Sequence, residues 1–108
     1  MVKTKDKKLI IELINKYINE LKKRKIDIVS AYLFGSYAKG KPTEWSDIDV
    51  AVITKNIVGD DNFDFKFLLM KIARDIDYNI EPHPYLRDEF NESNPTAAEI
   101  MRTGEKVI

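Results

Sequence analysis

Two short stretches carry the chemistry available to this chain: Gly35-Ser36, and Asp47-Ile48-Asp49 after ten further residues. A glycine lets the backbone turn and approach a ligand closely. Ser36 then offers a backbone N–H and a hydroxyl, and a helix starting after it would add unpaired N–H groups and the positive end of its dipole. These are the parts of an anion grip. On an extended chain, a period of two sets Asp47 and Asp49 on one face. Mg²⁺ prefers carboxylate and phosphate oxygens. Such a pair beside a phosphate grip suits two ions about 3.5–4 Å apart, which activate an attacking hydroxyl and stabilise a leaving pyrophosphate. Singly, Gly-Ser is a common turn and Asp-x-Asp a common strand start. It is their combination, each at a strand boundary, that points to a site.

Those residues need elements to position them. Ile28 to Phe34 is a β-branched and aromatic run that reads as a buried strand stopping at Gly35. Ser46 to Ile53 reads as a second strand, alternating at first and then apolar. Ahead of both, Ile10, Ile14, Tyr17, Ile18 and Leu21 recur at helical spacing and predict an amphipathic helix packed on the sheet. Between the strands, Lys39 to Trp45 contains Gly and Pro and reads as a loop. Lys39 and Lys41 either approach a triphosphate or are simply solvated, and Trp45 either stacks on a base or covers the sheet edge.

Further along, Lys55 to Asn62 is a turn-rich loop, and Phe65, Leu68, Leu69 and Ile72 mark a second helix. Asp75 to Pro82 reads as a third strand, with Glu81-Pro82-His83-Pro84 ending it because proline supplies no ladder donor. His83 is either a base or phosphate ligand near the site, or merely positional between two prolines. Ser93-Asn94-Pro95-Thr96 is a helix-capping signal, and Ala97 to Thr103 reads as a short helix stopped by Gly104. No internal repeat, linker or low-complexity stretch divides residues 1–108, so a single domain is expected.

The run Leu33 to Gly40, followed by Ser46 to Val52, resembles the DNA polymerase β-like nucleotidyltransferase superfamily and, more narrowly, the minimal nucleotidyltransferases of bacteria and archaea. The resemblance implies that Gly35 and Ser36 bind nucleotide phosphate and that Asp47 and Asp49 hold two Mg²⁺ ions. It also implies a third carboxylate on a neighbouring strand. In Asp75 to Pro82, alternation places Ile76, Tyr78 and Ile80 on one face and Asp77, Asn79 and Glu81 on the other. An acid flanked by apolar residues, with proline five residues on, resembles the family strand at Asp77. Asp77 is therefore the expected third ligand, assisting deprotonation of the acceptor, and Glu81 is the alternative on the same face.

Composition sets the limits. The 108 residues carry 18 basic and 18 acidic side chains, so the molecule as a whole has no general attraction for nucleic acid. The charges are unevenly placed: residues 1–41 hold 11 basic and 4 acidic side chains, and residues 42–108 hold 7 and 14. The basic excess sits mainly in Lys3, Lys5, Lys7, Lys8 and Lys22 to Lys25, either a solvated helix surface or a surface for a partner or RNA. There is no cysteine, hence no disulfide, thiol nucleophile or zinc-thiolate site. No apolar run approaches the roughly 20 residues of a membrane span, and the basic start lacks a signal-peptide core. A cytoplasmic location is expected.

The expected fold is α/β, a small mixed sheet of three or four strands with helices mainly on one face; its topology is implied by the resemblance. The resemblance also implies transfer of a nucleoside monophosphate, AMP from ATP, to an acceptor hydroxyl. The implied acceptor is a partner HEPN-type toxin, which makes the chain an antitoxin. Larger relatives add a helical domain for which 108 residues leave no room, so a partner or self-association would complete the site. The alternatives are a non-catalytic antitoxin-type binding module, and transfer to a small molecule such as an aminoglycoside.

Overall fold

A computed structural model describes residues 6–42, 46–59 and 61–108. Helix α1 spans Lys7–Lys23 and starts where the Asp6 carboxylate accepts from Leu9 N at 2.8 Å, satisfying one of the free N–H groups of the first turn. Lys22 and Lys23 in its last turn suit the negative end of the dipole. Its buried face is Ile10, Ile14, Tyr17, Ile18 and Leu21, the five residues at helical spacing.

Strands β1 (Ile28–Phe34) and β2 (Ile48–Thr54) pair antiparallel; β3 (Ile80–Leu86) lies parallel to β2, and β4 (Glu105–Lys106) pairs antiparallel with β1. The sheet order is β3-β2-β1-β4. Helix α2 (Asn62–Ile76) supplies the crossover that a parallel β2–β3 pair requires. Helices α1 and α2 cover one face, enclosing Ala31, Leu33, Ile48, Val50, Val52 and Ile80. The Tyr17 hydroxyl donates to Leu69 O at 2.9 Å and ties the two helices together. Burial pushes that phenol's pKa up, because the charged form loses its hydration.

Helix α3 (Pro95–Thr103) serves the opposite face, where Ile100 packs with Ala51 and Ile53 beside Tyr32, Phe34, Tyr85 and Phe90. Asn94 caps it through Thr96 N and Ala97 N, and Pro95 occupies its first turn. Gly104 ends it for want of space: a β-carbon there would lie 2.6 Å from Ile100 O and 2.9 Å from Leu33 O. That close approach delivers β4 directly onto β1. The mixed four-stranded sheet and the two helices on one face agree with the expected architecture. No helix among the described residues is long and apolar enough to cross a membrane.

Two expectations are corrected. The third strand does not begin at Asp75: α2 continues to Ile76, and β3 starts at Ile80. Nor do the prolines end it, since Pro82 pairs with Val50 and Pro84 with Val52. β3 is an edge strand, and residues of one parity along it can turn their backbone outward. Ile80 shows that parity, its N–H donating to Asp77 O and its carbonyl accepting from Arg74. Prolines two and four residues later lose no ladder bond, and they blunt the open edge.

Candidate active site

β1 ends at Phe34, and the chain turns at Gly35, whose φ of +75° is costly for any residue with a β-carbon. The turn also presses Gly35 against Asp49. A β-carbon at residue 35 would fall inside the van der Waals envelope of Asp49 Oδ2 and lie 3.3 Å from its Cγ. The Gly-Ser turn and the Asp-x-Asp stretch are thus in contact.

No regular helix follows Ser36. Residues 35–40 form turns instead, with Lys39 N donating to Gly35 O at 3.1 Å and Lys41 N to Ser36 O at 3.0 Å. Gly40 at φ +70°, with Pro42 soon after, stops helical propagation. Ser36 is half-buried within this turn, while Lys39 and Lys41 are exposed. Trp45, Lys3 and Lys5 lie outside the described residues.

Asp47 precedes β2 and is exposed; Asp49 is the second residue of β2 and the one residue of that strand that is not buried. It faces the side of the sheet that carries Ala51 and Ile53, since alternate residues share a face. Across the ladders it is in register with Phe34 on β1 and with Glu81 on β3. Its Oδ1 lies 3.2 Å from His83 Nε2, and the His83 ring meets Phe34 edge-on at a centroid distance of 4.9 Å.

Asp77 is placed otherwise than expected. It is the residue that ends α2, and its carboxylate accepts from Asn79 N at 2.8 Å, a local turn that an Asp side chain makes readily. Asn79 O in turn accepts from Ile48 N at 2.8 Å, anchoring this corner to the start of β2. Glu81 is the acid that sits on β3, with Arg74 Nη2 at 4.0 Å from its carboxylate. The same guanidinium donates to Tyr78 O and Ile80 O and lies over the Tyr78 ring. Among the described residues no three acidic or imidazole side chains converge within reach of a single ion. Asp49, Asp77 and Glu81 each contact a different group: His83, Asn79 N and Arg74.

The donor set at this corner is one of hard carboxylate oxygens, and Asp49 Oδ2 takes the space that a β-carbon at Gly35 would fill, which holds the carboxylate against the glycine turn. Carboxylate oxygens are the donors that a divalent cation of the Mg²⁺ type takes. His83, whose role the sequence left open, contacts Asp49. Its signal was parity, since it lies two residues from Glu81 on the face that carries Asp49.

Residues 15–108 match the polymerase beta nucleotidyltransferase family. The chain belongs to that family. The candidate protein adenylyltransferase MJ1305 of Methanocaldococcus jannaschii is 38% identical to it over 53 residues, which are 48% of this chain and 36% of that protein. The chain therefore aligns with little more than a third of that relative's length. Among solved structures, a toxin-antitoxin with AMP-PNP superposes with a TM-score of 0.63 at 25% identity, covering 87% of this chain and 71% of that one. A mutant of the toxin-antitoxin MntA-HpeT gives 0.58 at 26% identity over 85% and 68%. A candidate nucleotidyltransferase from Sulfolobus solfataricus gives 0.58 at 25% identity over 74% and 69%.

Proposed function

We propose that the chain transfers AMP from ATP to a hydroxyl of a toxin-type protein partner, of the HEPN class that the motif resemblance implies, and releases pyrophosphate. The observation that carries this reading is the packing of Gly35 against Asp49, which joins the phosphate-gripping turn to the carboxylate strand. The likeness to a toxin-antitoxin with AMP-PNP and to a candidate protein adenylyltransferase supports the nucleotide and the acceptor class. The cytoplasm supplies both ATP and Mg²⁺.

In this reading the N–H and hydroxyl of Ser36 hold the triphosphate at the turn, and Gly35 lets it come close. Asp47 and Asp49 hold Mg²⁺, with two ions expected for this superfamily. Glu81 takes the third carboxylate position in place of Asp77, because it stands in register with Asp49 on the neighbouring strand. Strands lie about 4.8 Å apart, so a rotamer change away from Arg74 brings the Glu81 carboxylate beside Asp49. When bound, Mg²⁺ supplies charge neutralisation for the triphosphate and for the departing pyrophosphate. Glu81 accepts the proton of the acceptor hydroxyl, and the partly open sheet face beside His83 receives the acceptor.

Calorimetric titration with ATP tests the site. Affinity should rise sharply when Mg²⁺ is added, since the bare triphosphate meets carboxylates. Equal affinity with and without Mg²⁺ overturns the assignment.

A further inference from the structure

We infer that His83 is a positioning residue for Asp49, fixing which carboxylate oxygen faces the glycine turn. The inference rests on the nucleotidyl-transfer reading and adds a residue to it. Three adjacent strands supply the parts: Phe34 on β1, Asp49 on β2 and His83 on β3 all lie on one face. The ladder partner of His83 is Ala51, a small residue that leaves the imidazole free to lean back one pair along the strands. There Nε2 lies 3.2 Å from Asp49 Oδ1. A carboxylate only accepts, so this contact needs its proton on Nε2.

The other oxygen is placed by the same contact. Oδ2 is the atom that a β-carbon at Gly35 would strike. One oxygen is held by the imidazole, and the second is presented to the turn where phosphate and cation would meet. Without His83, rotation about the Asp49 χ2 would exchange or tilt the two oxygens. The imidazole is itself held: the Phe34 ring closes on it edge-on, and prolines flank it on both sides and stiffen its backbone. Asp49 and His83 side chains are 27% and 37% exposed, so the pair is partly shielded from competing water. Partners that orient metal-binding carboxylates in this way typically change metal affinity or activity by about 10–100-fold when removed.

The test uses the full chain and Mn²⁺ as a spectroscopic probe of the cation site. Mn²⁺ affinity is measured by electron paramagnetic resonance for wild type, His83→Leu and His83→Gln, with melting temperature and the separate kcat and KM for ATP recorded alongside. Glutamine keeps an N–H donor near the position of Nε2; leucine keeps only bulk. His83→Leu should bind Mn²⁺ about 10–100-fold more weakly and lose kcat with little change in KM, and His83→Gln should recover most of both. Wild-type Mn²⁺ affinity in His83→Leu, or equal losses in the two variants, overturns the positioning role while leaving the transfer reading intact. A wild type that binds no Mn²⁺ overturns the transfer reading and this inference with it.

Discussion

Gly35→Ala and Gly40→Ala form a matched pair that separates backbone strain from the contact at the site. The two glycines have φ of +75° and +70°, so alanine at either position incurs about 1–2 kcal/mol of left-handed strain. Loss of unfolded-state freedom returns about 0.4–1 kcal/mol. Both variants should therefore lose about 1 kcal/mol, a fall of about 4–8 °C in melting temperature for a domain of this size. They differ in what the new methyl meets. At Gly40 there is nothing within 4 Å, whereas at Gly35 it overlaps Asp49 Oδ2. The carboxylate must retreat by about 1 Å to regain ordinary contact, and a 1 Å misplacement of a reacting group costs about 10²-fold in rate. Differential scanning fluorimetry and pyrophosphate release, measured on both proteins, give the two readouts. Gly35→Ala should match Gly40→Ala in stability and fall far below it in turnover. Equal turnover would refute the claim that Gly35 is there to admit Asp49.

The third-carboxylate assignment is tested by Glu81→Gln and Asp77→Ala in the same assay. Glu81→Gln should melt near wild type and lose most transfer, while Asp77→Ala should lose about 1 kcal/mol with its turn at the end of α2 and retain transfer. Tyr17→Phe removes the hydroxyl bond to Leu69 O and should cost about 0.5–1.5 kcal/mol at neutral pH, read as a lower urea midpoint. Burial raises the Tyr17 and Tyr85 phenols. The unfolded chain therefore releases those protons first, and stability should fall as pH rises above about 10. Urea midpoints against pH should show a shallower alkaline decline in Tyr17→Phe than in wild type.

Much of the fold was legible because burial follows simple periods. The five apolar positions of α1 are its five buried residues, and the Ile28–Phe34 strand begins and ends where composition placed it. The corner between α2 and β3 was not legible, for a physical reason. Ile72, Ala73 and Ile76 continue the helical spacing of Phe65 and Leu69, while Ile76, Tyr78 and Ile80 also alternate. The two periods overlap, and packing against α1 and β3 resolves them in favour of helix up to Ile76. Asp77 consequently became a turn residue and Glu81 the strand acid. Pro82 and Pro84 looked like an ending because an edge strand cannot be distinguished from a central one without its neighbours. The contact of His83 with Asp49 was hidden likewise, since it depends on the register between β2 and β3. β4, two residues long, has no periodicity to display.

The central claim, that Asp47 and Asp49 serve chemistry and not only contact, is tested most directly on the acceptor. A toxin-type partner is incubated with Mg²⁺-ATP and either wild type or the Asp47→Asn, Asp49→Asn double variant, and its intact mass is measured alongside a growth-rescue assay. The double variant should still fold, because Asp47 is exposed and Asp49 is not buried, and asparagine keeps the shape of each carboxylate and an oxygen that still accepts from His83. Wild type should add the mass of one or more AMP groups to the partner and rescue growth, and the double variant should do neither. A partner that stays unmodified and is neutralised equally by both proteins would contradict the transferase account and leave binding alone as the function.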